Sequence, residues 1–130
     1  MPEVKAKLST YRQSPRKVRM VAKLVRGKRA SEALTLLKFA TKKTALPMQK
    51  LIASAIANAK NLSMSEEDLV IKELKVDEGR TLYRRRPRSR GMANPIRKRT
   101  SHISVTLAEA TNNKQSTKNK NKDSIVHSTS

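Results

Sequence analysis

The sequence has no cysteine and no tryptophan, only three glycines, and just three aromatic residues of the Phe/Tyr/Trp kind, Tyr11, Phe39 and Tyr83. Without cysteine there is no disulfide framework, no cysteine zinc site and no thiol nucleophile, which is the composition expected of a reducing compartment. The glycines form no phosphate-binding loop. No apolar run approaches the roughly 18 residues that a membrane-spanning helix requires; the stretch 51–59 is interrupted by Ser54 and Asn58. The N-terminus carries Glu3 and no apolar segment, so no secretory signal is expected. Acidic side chains are scarce as well: 10 Asp+Glu face 30 Lys+Arg in 130 residues, a formal charge of +20. Such an excess resists compaction unless a polyanion supplies counter-charge, and nucleic acid is the common one.

The charge is concentrated. Residues 1–79 hold 17 basic and 8 acidic side chains, residues 80–108 hold 9 and none, and residues 109–130 hold 4 and 2. The middle block contains eight of the thirteen arginines: Arg80, Arg84, Arg85, Arg86, Arg88, Arg90, Arg97 and Arg99. A face that only needs solvation is served equally by lysine and glutamate. Arginine brings a planar donor fork that grips phosphate in pairs and stacks on bases. With no compensating acid inside it, the block reads as a polyanion-binding segment rather than a solvated run.

Local patterns define the elements around it. Val4, Ala6 and Leu8 alternate with polar residues as in a half-buried strand. Ser14-Pro15 opens a helix, with Ser14 at the N-cap and Pro15 at the first position, and Gly27 stops it. Val18, Val21, Ala22 and Val25 form its core stripe, and Arg16, Arg19, Lys23 and Arg26 a second, cationic stripe. Ala30, Ala33, Leu34 and Leu37 mark a second helix. Met48, Leu51, Ile52, Ala55, Ile56 and Ala59 mark a third, capped by Thr41 or Thr44. Residues 61–68 read as a polar connector, 69–76 as a strand with a bulge near Glu73, and 103–107 as a cleanly alternating strand.

The expected fold is α+β, a three-stranded antiparallel sheet packed against three helices with a long projecting β-hairpin. It occupies residues 1–109 as a single domain, with the basic hairpin at about 79–99. If the flanking strands run on into the hairpin for ~10 residues per arm, it reaches about 30 Å at ~3.3 Å per residue. An isolated ribbon is marginal in water, so the arm is expected to be mobile when free and fixed by RNA. Residues 110–130 read as a disordered polar tail.

Several blocks together resemble the L-twenty-two family of bacterial large-subunit ribosomal proteins. They are Ser14-Pro15-Arg16-Lys17-Val18-Arg19, Ser54-Ala55-Ile56-Ala57-Asn58-Ala59, Val76-Asp77-Glu78-Gly79, Pro87-Arg88-Ser89-Arg90-Gly91 and Lys98-Arg99-Thr100-Ser101-His102-Ile103. They occur in the family's order and spacing over about residues 3–108; Tyr83, Met92 and Pro95 depart from its pattern. The resemblance implies a small domain on the surface of the large subunit, near the end of the polypeptide exit tunnel. It further implies a hairpin that threads between ribosomal RNA domains and assists assembly. The resemblance also implies that the hairpin tip, Arg86, Pro87, Arg88, Ser89, Arg90, Gly91 and Met92, lines the tunnel. The implied partners are large-subunit rRNA, neighbouring large-subunit proteins and the nascent polypeptide, in the cytoplasm or in an organelle.

Phosphate contact is the main binding term expected, with affinity that falls steeply with salt. Lys98, Arg99 and the helix stripe Arg16, Arg19, Lys23 and Arg26 are candidates for phosphate and sugar. Arg84, Arg85, Arg86, Arg88 and Arg90 are candidates for points where RNA strands crowd together. Lys17, Arg80, Arg97 and His102 complete the RNA-binding set. The near absence of aromatic platforms argues against single-stranded base reading of the RRM or OB kind. No catalytic residue, metal site or cofactor is expected. His102, a lone histidine, reads as a hydrogen-bonded structural residue rather than a catalyst, and Glu66-Glu67-Asp68 lacks ligand spacing. The competing reading is an architectural DNA-binding protein whose basic arm enters a minor groove. A membrane-active peptide is disfavoured because the apolar stripes are committed to a core.

Overall fold

A computed structural model describes residues 2–110 of the chain. In chain order the elements are β1 (Glu3–Tyr11), α1 (Pro15–Val25), α2 (Ala30–Phe39), α3 (Ala45–Asn61), β2 (Leu69–Glu78), β3 (Leu82–Pro87), β4 (Ala93–Lys98) and β5 (Ser101–Glu109). The expected tail lies outside the described residues apart from Ala110, whose N–H donates to the Asp68 carbonyl at 2.7 Å.

β1, β5 and β2 form one antiparallel sheet in that order, and β3 and β4 form a second, two-stranded one. The α+β class and the three-stranded sheet are as expected. Val4, Leu69, Ile71, Leu74, Val76, Ile103, Val105 and Leu107 are buried on the helix-facing side. The stripes read from the spacing meet them: Val18, Val21, Ala22 and Val25 from α1; Ala30, Ala33 and Leu37 from α2; Met48, Leu51, Ile52, Ala55 and Ala59 from α3. Leu34 and Ile56 pack at the margin. The core is aliphatic, as a chain with three aromatic residues requires.

The helix ends add detail. Ser14 holds the N-cap position, but its hydroxyl makes no capping bond; its carbonyl accepts from the N–H groups of Lys17 and Val18, each at 3.2 Å. The open choice at α3 falls on Thr44, whose carbonyl accepts from Met48 N–H at 3.1 Å while the buried side chain turns inward. Pro47 therefore sits in the first turn, where the N–H it lacks has no helical acceptor. Residues 61–68 are more than a polar connector: Met64 is buried, and Glu66–Asp68 make a 3-10 turn.

β2 carries the expected bulge, a register shift between Ile71 and Glu73. Its outer edge does not face open solvent alone. Gly27, at φ 77°, donates its N–H to the Ile71 carbonyl at 3.2 Å, and Ile71 N–H donates to Lys28 at 3.0 Å. Further along, Arg26 Nη2 donates to the Leu74 carbonyl at 2.7 Å and Arg19 Nη2 to the Val76 carbonyl at 3.1 Å. Two members of the cationic stripe thus satisfy two carbonyls of an edge strand.

The hairpin departs from the expectation of continuous strands. Each arm has six residues, a regular span of about 20 Å rather than 30 Å at ~3.3 Å per residue. The interruption is at Gly79 and Thr100. Gly79 N–H donates to the Thr100 carbonyl at 2.9 Å, and Thr100 Oγ1 donates to the Arg80 carbonyl at 2.6 Å. A side-chain bond thus takes over at the point where the ladder stops. Thr100 is only 1% exposed, and a Cβ built on Gly79 would lie 2.5 Å from Thr100 Oγ1 and 3.1 Å from His102 Nε2. Glycine is required here for close approach rather than for an unusual φ.

Gly79→Ala is expected to destabilise the protein by about 1–3 kcal/mol through overpacking, measured by urea unfolding; an unchanged midpoint would show that the junction has room to adjust. On the solvent face of the sheet, Lys72 hydrogen-bonds and attracts the Glu3 carboxylate, which holds the Glu3 carboxyl below its ordinary value and raises the Lys72 ammonium. A carboxyl depressed in the folded state adds stability above its unfolded pKa and loses that stability as pH falls through the folded one. Lys72→Ala is therefore expected to return the Glu3 titration, followed by carboxyl NMR, upward to the normal range.

Candidate nucleic-acid interface

The β3–β4 ribbon pairs Leu82 with Lys98 through to Pro87 with Ala93. Residues directly opposite share a face, and successive residues alternate. Arg84, Arg86 and Lys98 therefore lie on one face of the ribbon, and Arg85 and Arg97 on the other. Every residue from Leu82 to Arg99 is exposed except Ile96, which is half-buried. The ribbon has a basic character on both sides and no side committed to a core. Pro87 and Pro95 are tolerated because both strands are edges.

At the tip, Arg88 N–H donates to the Met92 carbonyl at 2.7 Å across a 3-10 turn of Ser89–Gly91. Gly91 adopts φ 68°, the left-handed conformation for which glycine suits this turn, and Arg90 precedes it at φ 59°. A non-glycine residue in that region costs of order 1 kcal/mol, so Arg90 is aimed outward at some expense.

The root of the ribbon is where separate segments converge. Gln13 Oε1 accepts from Tyr11 Oη and from Thr44 Oγ1, each at 3.0 Å, and the Gln13 carbonyl accepts from Ser101 Oγ at 2.9 Å. This polar knot ties the end of β1 to the starts of α3 and β5. Around it opens a cleft of ≈ 460 Å³ lined by Arg12, Gln13, Ser14, Lys17, Lys43, Arg97, Lys98 and Arg99. Six of these eight residues are cationic and none is acidic. A neighbouring cleft of ≈ 380 Å³ is lined by Ser14, Pro15, Arg16, Arg19, Glu78 and Arg99.

The predicted residues are thus brought together unevenly. Lys17, Arg97, Lys98 and Arg99 meet in the first cleft; Arg16, Arg19 and Arg99 meet in the second. Arg84, Arg85, Arg86, Arg88 and Arg90 stand along the arm, and Arg80 is exposed at its base. Lys23 is exposed on α1 outside both clefts, while Arg19 and Arg26 hold β2 carbonyls. His102 Nδ1 accepts from the Thr10 N–H at 2.9 Å, where Thr10 sits at φ 55° in the register shift between Leu8 and Tyr11. The histidine is a hydrogen-bonded structural residue, as read from the sequence. Sequence reasoning missed Arg12 and Lys43. Each flanks a helix start and belongs to no periodic stripe, and only the Gln13 knot brings them together. Among the described residues no group of three His, Cys, Asp or Glu is placed to hold a metal ion, and no helix is long and apolar enough to cross a membrane.

Residues 6–108 match the family model described as ribosomal protein L22p/L17e. The chain is 49% identical over 110 residues to the large ribosomal subunit protein uL22 of Desulfitobacterium hafniense strain Y51, covering 84% of this chain and 96% of that protein. It is 46% identical over 108 residues to the protein of the same description from Staphylococcus aureus strain JH9, covering 82% and 92%.

With RNA as the polyanion, Arg12→Ala and Lys43→Ala are each expected to lower the slope of log affinity against log salt by about one ion, read by fluorescence anisotropy. A slope that does not move in either variant removes the root cleft from the interface.

Proposed function

The chain belongs to the ribosomal protein L22p/L17e family, and from that premise we propose that it is a structural, non-enzymatic constituent of the large ribosomal subunit that binds large-subunit rRNA and sits beside other ribosomal proteins. Its finer role follows from the arm. The folded body docks by its basic root clefts, and the ribbon reaches between separate rRNA domains and bridges them during assembly. The tip from Arg86 to Met92 lines the polypeptide exit tunnel and meets the nascent chain. The ribosome concerned is the cytoplasmic one of bacterial relatives.

The observation that supports bridging is the distribution of cations on both faces of an exposed ribbon. A ribbon that lay flat on one RNA surface would need arginine on one side only. Cations on both sides suit a ribbon with phosphates on both sides, where each contact releases condensed counterions. Arginine forks also stack on bases where strands crowd, which compensates for the scarcity of aromatic platforms. Family membership favours RNA over the duplex DNA of the competing reading.

Replacing Arg88 and Arg90 together by alanine is expected to weaken incorporation into reconstituted large-subunit particles about tenfold while leaving the melting temperature of the isolated protein unchanged, since both side chains are exposed. A matching loss of thermal stability would contradict a role confined to RNA.

A further inference from the structure

All thirteen arginines lie within the described residues, and among those residues one alone is paired with a carboxylate. Arg99 Nη1 lies 3.2 Å from Glu78 Oε1, whereas the other four ion pairs, all of Glu, use lysine. The choice of partner is notable because Arg99 is the one basic residue that lines both root clefts. Glu78 lines the smaller cleft and is the only acid in either. Its position is fixed: it ends β2, opposite Ser101, next to the Gly79–Thr100 junction that turns the chain into the arm.

Resting on the reading of this surface as an RNA interface, we propose that the two clefts are one composite site for a continuous RNA backbone, with Arg99 as the shared phosphate ligand and Glu78 as its placeholder. In the free protein the carboxylate occupies the guanidinium. An incoming backbone brings one phosphate toward Arg16 in the smaller cleft and another toward Arg12, Lys17 and Lys43 in the larger. The phosphate between them takes Arg99 from Glu78. The pair is half-exposed, at 45% and 57% side-chain exposure, so its opening costs little. A single small anion gains one cleft and must still compete with Glu78; a backbone spanning both gains the neighbouring contacts at the same time. Glu78 thereby discriminates extended polyanions from isolated ones by competition rather than by shape.

The test uses the full chain, a large-subunit rRNA fragment and a salt series, with inorganic phosphate as the isolated anion. Glu78→Gln is expected to tighten RNA binding about threefold, the scale of an exposed ion pair, and to tighten inorganic phosphate binding by a larger factor, because phosphate has fewer other contacts, so that less phosphate half-displaces the RNA. Asp77→Asn, which removes the same charge from a residue lining neither cleft, should give a smaller gain. In an Arg99→Ala background Glu78→Gln should give none beyond that control, because the coupling is between those two side chains. Equal gains from Asp77→Asn and Glu78→Gln, or a Glu78→Gln gain that survives Arg99→Ala, would overturn the placeholder role and leave RNA binding intact. A wild-type chain that does not bind the RNA at all would instead overturn the functional reading on which the proposal stands.

Discussion

Repulsion among cations that have no internal partner is the constraint to which the rest of this molecule answers. The body can hold a formal excess because its core is neutral, aliphatic and closed by three helices on a sheet. The ribbon has no such resource. Its eight basic residues between Arg84 and Arg99 stand in solvent, and one of them meets a carboxylate. Hydrogen bonds between two six-residue strands hold it in register, but an isolated two-stranded ribbon is marginal in water. Its favourable contacts have to come from outside the chain, and ribosomal RNA is the partner to which family membership points.

Coupling between the body and the ribbon runs through small polar side chains instead of a continuous ladder. Gln13, Thr44, Thr100 and Ser101 make a cluster of short hydrogen bonds between the sheet, α3 and the root. Thr44, Thr100 and Ser101 are buried, and no buried side-chain polar atom among the described residues lacks a partner. Satisfied networks of this kind fix direction, because any other arrangement strands a donor or acceptor.

Much of this was legible in the residues. The alternation of Val4, Ala6 and Leu8, the stripe from Val18 to Val25 and the irregularity near Glu73 are local signals, and each became the element it described. What stayed hidden was non-local. The spacing of Arg16, Arg19, Lys23 and Arg26 defines a face but not what the face meets, and two of the four meet strand carbonyls. Arg12 and Lys43 carry no pattern and share a cleft because a glutamine draws their segments together. Whether the flanking strands run on into the arm is also non-local: a buried threonine hydroxyl bonded to the Arg80 carbonyl interrupts the pairing, so each arm is regular over six residues.

The treatment of β2 has a wider consequence. An outermost strand with open amides and carbonyls is a template on which another copy can add, and stacked additions lead to fibres. Here residues 27–29 lie along one stretch of that strand and two guanidiniums close the next, while the other outer strand is kinked near Thr10 and bears Lys5 and Lys7. Addition of a second copy along either outer strand is thereby disfavoured in the free protein.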